Sequence, residues 1–113
     1  MMANRHRGEI DAVLDGERRV LCLTLGALAE LEAAFAAGDL AVLLKRFSES
    51  ALSSGDMIRI ITAGLRGGGM QVEPEAVAAM RTEGGATGFA RIVADLLHAT
   101  FGESDPQEAP PNP

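Results

Sequence analysis

Few residues in this chain could act as nucleophiles, bases or ligands, and their spacing limits what they can do. The sequence holds two histidines, His6 and His98, and one cysteine, Cys22. A zinc site needs three or four Cys, His or carboxylate ligands at recognisable spacing, and no such pattern is present. The acids are scattered, without the alternation of a calcium loop. His6 lies in a polar opening stretch and reads as solvated. His98 falls near the end of a helical pattern, where a positive imidazole favours the helix dipole. Cys22 has neither a histidine nor a helix N-terminus beside it in sequence, so it reads as a small strand residue rather than an activated thiolate. Ser48, Ser50, Ser53 and Ser54 suit loop and capping positions. Since no pair meets even the nucleophile-plus-base requirement, no catalytic, metal-binding or cofactor-binding residue is assigned. No enzyme activity and no cofactor are expected.

Two glycine-rich stretches invite an anion-binding reading. A phosphate loop follows a strand, opens a helix and carries Gly-Lys-Ser/Thr. Gly67-Gly68-Gly69 instead follows a helical pattern and has no lysine after it, so it reads as helix termination and a flexible joint. Gly84-Gly85-Ala86-Thr87 precedes a helix and could present amides to an anion, but nothing else in the chain supports that role.

The elements that must position these residues follow from composition and pattern. A chain of 113 residues, 47% of them hydrophobic, makes a single globular domain. Without Trp or Tyr and with four Phe, its core must be aliphatic. Sixteen acids against ten bases leave a net charge of −6, the opposite of a nucleic-acid footprint. The basic pairs Arg5/Arg7 and Arg18/Arg19 read as solvated. A lone cysteine fits a reducing cytoplasm. No apolar run is long enough to span a membrane, and the opening Met-Met-Ala-Asn-Arg-His-Arg does not read as a secretory signal.

The expected fold is mainly α, of the α+β class: an N-terminal β-hairpin followed by about five short helices in a single domain. Residues 1–7 read as frayed, 8–101 as the globular domain, and 102–113 as a disordered acidic, Pro-rich tail. Asp15-Gly16 is a two-residue type I′ turn signature. It sets Leu14 opposite Glu17, Ala12 opposite Arg19 and Ile10 opposite Leu21, with Asp11 and Arg18 diagonal on the wet face. Thr24 caps a helix from Leu25 to about Ala36, with an apolar series Leu25, Leu28, Ala29, Leu31 and Phe35. Gly38 ends that helix and Asp39 caps the next, Leu40 to Phe47. Ser53 and Asp56 form a capping box for a third helix ending at Arg66. Pro74 starts a fourth, anchored by Val77 and Met80. A fifth runs from about Ala86 to Phe101.

Three stretches together resemble the gene transfer agent family of small phage-like tail proteins. Gly8-Glu9-Ile10 through Leu14-Asp15-Gly16, with Leu21 to Glu32, is similar to the family's opening. Ala63-Gly64-Leu65-Arg66-Gly67-Gly68-Gly69 is similar to its central signature, and Ala94 to Phe101 to its closing helix. The likeness covers about residues 7 to 102. The tail after Gly102 has no counterpart in it.

The resemblance implies a gene among the tail genes of a domesticated prophage. The family carries two labels, tail tube protein and tail assembly chaperone. Two strands are too few for the interlocked β-ring of a tube, so the resemblance favours a chaperone. Such a protein coats the helical tape measure protein in the cytoplasm and helps recruit tail tube subunits, so both are implied partners. Association into a homo-oligomer is left open. A small regulatory interaction domain is a further alternative. A helical client needs an apolar groove or helix face. The candidate client-binding residues are Leu28, Leu31, Phe35, Leu40, Leu43, Leu44 and Phe47; the competing reading, that both stripes are simply core, is the favoured one for any single residue.

Overall fold

Asp15 and Gly16 adopt φ of 55° and 79°, the left-handed pair that a type I′ turn requires. The turn joins β1 (Glu9–Leu14) to β2 (Glu17–Cys22) in the expected antiparallel register. A computed structural model describes residues 3–34 and 40–102 of the chain. After the hairpin come α1 (Leu25–Ala34), α2 (Leu40–Ser48), α3 (Ser54–Gly67), α4 (Pro74–Ala78) and α5 (Gly85–Phe101). The mainly helical, hairpin-first single domain therefore stands. Asp11 and Arg18 meet across the wet face at 3.6 Å. Within the opening stretch, Arg5–Arg7 forms one 3-10 turn, with Arg7 and Glu9 both donating to the Asn4 carbonyl. Phe35, Gly38, Asp39 and the tail beyond Gly102 lie outside the described residues.

The dry face of the hairpin carries Ile10, Ala12, Leu14, Leu21 and Leu23, all buried. It packs on α3 and α5 through Ile60, Ile61 and Leu65 from the first helix and Val93, Leu96 and Leu97 from the second. Each such aliphatic side chain contributes about 1.5–3 kcal/mol by leaving water.

Local signals set the helix starts. The Thr24 hydroxyl accepts from the Ala27 amide at 3.1 Å. Ser53 Oγ accepts from the Asp56 amide and Asp56 Oδ2 accepts from the Ser53 amide, both at 3.0 Å, which is the expected reciprocal box. Arg46 of α2 donates to the same carboxylate at 3.2 Å. One salt-linked cap thus starts α3 and ties α2 to it.

The face of α1 differs from the expected apolar series. Ala27 and Leu31 are the buried positions, whereas Leu25 is 84% exposed and Ala29 is exposed. α1 packs on α3 through the small Ala27 and through Leu31 one turn later. Leu25 then projects from nearly the opposite side of the first turn.

The glycine run does more than stop a helix. Gly69, with φ of 103°, and Met70 return hydrogen bonds to Arg66 and Leu65, closing a Schellman motif. A Cβ at Gly67 would overlap the Cys22 carbonyl, and one at Gly68 would overlap the Val20 carbonyl. The end of α3 therefore lies directly on the outer edge of β2. This is a close-packed joint rather than a flexible one.

The turn end of the outer edge of β1 is engaged too. Thr82 Oγ1 donates to the Val13 carbonyl at 2.7 Å, and the Asp15 amide donates to the Arg81 carbonyl at 2.8 Å. Behind the hairpin, Arg66 joins three segments. Its Nε donates to the Val72 carbonyl at 2.8 Å, and its two terminal nitrogens reach Glu30 at 3.2 Å and Glu73 at 3.1 Å.

Candidate client-binding surface

The seven residues of the α1 and α2 stripes do not form one exposed face. Leu31 and Leu43 are each 1% exposed and belong to the core. Leu28, Leu44 and Phe47 are half-buried and keep some surface. Leu40 opens α2, and Phe35 lies outside the described residues. Of the members whose side chains are described, Leu28, Leu44 and Phe47 are thus the ones able to touch a partner in this conformation. Leu44 and Phe47 stand together on α2.

They face α5 across an open cleft also lined by Leu97, His98 and Phe101. The Phe47 and His98 rings meet edge to face, with centroids 5.5 Å apart and planes at 70°. This edge-to-face geometry places the polar imidazole at the rim of an apolar wall. Lys45 stands on the lip, and Phe101 is 41% exposed at the far end.

The cleft continues past this point. A second hollow, lined by Phe47, Leu52, Met57, Ala90, Val93 and Ala94, shares Phe47 and Ser50 with the first. A third, of about 170 Å³, shares Met57 and is bounded by Ile58, Val77, Ala86 and Phe89. From α5 these hollows take Ala86, Phe89, Ala90, Val93, Ala94, Leu97, His98 and Phe101, an unbroken i, i+3, i+4 series. They amount to one groove following α5 for about 22 Å, given 1.5 Å per residue. The expected client stripes did not include α5. The signal was present as alanines at 86, 90 and 94 beside Phe89, Val93 and Leu97 on the same helix.

Among the described residues, no group of three or more His, Cys, Asp or Glu side chains could hold a metal ion. Cys22 lies on the hairpin, its thiol donating weakly to the Arg7 carbonyl at 3.7 Å. Burial pushes its pKa up, the Glu9 carboxylate adds to that, and Arg7 opposes it, so the thiol is held away from the reactive thiolate. No described helix is long and apolar enough to cross a membrane.

Against known proteins, the family described as "Phage tail tube protein, GTA-gp10" matches residues 7–103. No curated protein and no solved structure matches the chain. The matched stretch runs from the residue before the hairpin through all five helices and takes in nearly the whole described domain, so this chain belongs to the phage tail tube protein, GTA-gp10, family.

Proposed function

We propose that this member of a phage-type tail family is a non-enzymatic tail assembly chaperone. It holds the tape measure protein soluble in the bacterial cytoplasm and passes it to tail tube subunits. The observation that carries this reading is the state of the sheet. A tube subunit contributes strands to a continuous ring, which needs open strand edges. Among the described residues there is one hairpin, with its turn bonded to Arg81, the Val13 carbonyl of β1 taken by Thr82, and β2 covered by Gly67 and Gly68. The helical surface suits a helical client better, since an amphipathic helix docks by laying its apolar face into a groove. Leu28, Leu44 and Phe47 are the contacts assigned to that client.

Co-expression with the neighbouring tape measure protein tests the proposal. The client should shift from the insoluble to the soluble fraction and co-purify with this chain, and unchanged client solubility would remove the main support. The family's description as a tail tube protein favours a second reading, a structural component retained in the particle. Mass spectrometry of purified particles separates the two: a chaperone is depleted from them, a structural subunit abundant.

A further inference from the structure

The exposed face of α1 and the groove along α5 have complementary shapes and charges. Leu25 is 84% exposed in the first turn of α1. Ala29 and Ala33 follow it at four-residue intervals and are also exposed, so the three form one apolar strip. Exposed Glu32 borders that strip. The α5 side of the groove likewise presents alanines four residues apart, Ala86, Ala90 and Ala94. Two alanine-lined surfaces let helix axes approach to the short end of the usual range, about 8 Å.

Charge fixes the direction. The residues lining the three connected hollows include the cation Lys45 but no acid. In a chain of net charge −6, an acid-free groove with a basic end is complementary to most of the molecule's own surface. Leu25 and Glu32 are about 10 Å apart along α1, and Phe89 and His98 about 13 Å apart along α5. The reach of the Lys45 side chain closes the difference. Leu25 therefore fits the apolar end between Met57 and Phe89 while Glu32 meets the basic end.

We propose that the α5 groove of one molecule receives the Leu25–Ala29–Ala33 face of α1 from a second copy, in a head-to-tail contact. A molecule cannot fill its own groove this way, because its α1 is already fixed on α3 through Ala27 and Leu31. The two surfaces are different, so the contact is heterologous. It leaves a free face and a free groove at the ends and builds a ring or an open row. It requires no client, although a client held on Leu44 and Phe47 would compete with the second copy for this groove; a structural tail component would use the contact equally, and its failure leaves the client experiment untouched.

The test is sedimentation velocity over a concentration series on the full chain, with Leu25→Glu to spoil the face and Ala90→Trp to block the groove. Both positions are exposed, and circular dichroism checks that each variant keeps its fold. Wild type should associate with rising concentration. Each variant alone should be monomeric, its dissociation constant raised at least tenfold. An equimolar mixture should form a dimer that does not grow, because one partner keeps the groove and the other keeps the face. The proposal is overturned by wild type that stays monomeric throughout, by either variant associating as wild type does, or by a mixture that does not dimerise.

Discussion

Asp15 and Arg81, sixty-six residues apart, hold each other by a reciprocal pair of bonds. The Asp15 amide donates to the Arg81 carbonyl at 2.8 Å, and the Arg81 amide donates to Asp15 Oδ1 at 2.9 Å. The residue that makes the hairpin turn thus also anchors the hairpin to the segment between α4 and α5. Asp15 sits at φ 55°, where Asn and Asp are tolerated better than most residues.

Replacing Asp15 should therefore have two separable costs. Asp15→Ala loses both the side-chain acceptor and the left-handed tolerance, and should destabilise by about 1–3 kcal/mol in chemical denaturation. Asp15→Asn keeps an acceptor and the tolerance, and should lose less than half as much. Equal losses for the two variants would mean that the latch carries little weight.

The glycines at 67 and 68 should be far less replaceable than a helix-ending role alone requires. Alanine at either position drives a Cβ into a β2 carbonyl, so α3 must separate from the sheet. A loss of about 3 kcal/mol or more is expected, in the range of disrupted core packing. The contrast is Gly55, in the first turn of α3, where a Cβ would meet only Ser53 Oγ at 3.7 Å. Gly55→Ala should stabilise by about 0.5–1 kcal/mol through helix propensity. Thermal melts of the three variants give the comparison.

The features legible in the sequence are those encoded by neighbours along the chain. Asp15-Gly16 specified the turn and, by alternation, the whole register down to the Asp11–Arg18 diagonal. Ser53 and Asp56 specified the cap of α3. Features that depend on which other element lies opposite were not legible. Leu25 and Leu31 are chemically identical, yet one is 84% and the other 1% exposed. The difference arises from the line along which α1 meets α3, which α1's own sequence, apolar nearly all round, does not encode. Gly67 and Gly68 read as a stop because their contact with Val20 and Cys22 spans more than forty residues. The candidate surface suffered in the same way. The apolar stripes of α1 and α2 were visible, but their partition into core and surface was not, and the α5 groove exists only once α2, α3 and α4 stand beside it.

Cys22 should be slow to modify. Burial and Glu9 raise its pKa despite Arg7, and alkylation proceeds through the thiolate. At neutral pH the rate of iodoacetamide labelling of the native protein should fall below that of an unstructured cysteine peptide. The native rate should also climb only at a higher pH than the peptide's. Glu9→Gln removes a charge that opposes ionisation, and should bring the climb back toward lower pH. Labelling as fast as the peptide would place the thiol in the open.

The last prediction concerns how α2 is held, because α2 carries Leu44 and Phe47. Leu43 is its fully buried side chain among the described residues, and Arg46 ties it to Asp56. That carboxylate, 6% exposed as a side chain, accepts from the Ser53 amide and from Arg46 at once. Asp56→Ala removes the cap, at about 0.5–2 kcal/mol. It also removes a part-buried charge-assisted bond, whose loss adds about 1–3 kcal/mol. The two share one carboxylate, so a total near 2–3 kcal/mol is expected rather than the full sum. Arg46→Ala keeps the box and should cost less. A double-mutant cycle should therefore show coupling of about 1 kcal/mol between the two positions. The damage should also be uneven. Amide exchange should accelerate first in α2 and the first turn of α3, while β1 and β2, held by the Asp15 latch and by Gly67 and Gly68, keep their protection. If the hairpin and α2 lose protection together, α2 is not held separately from the hairpin.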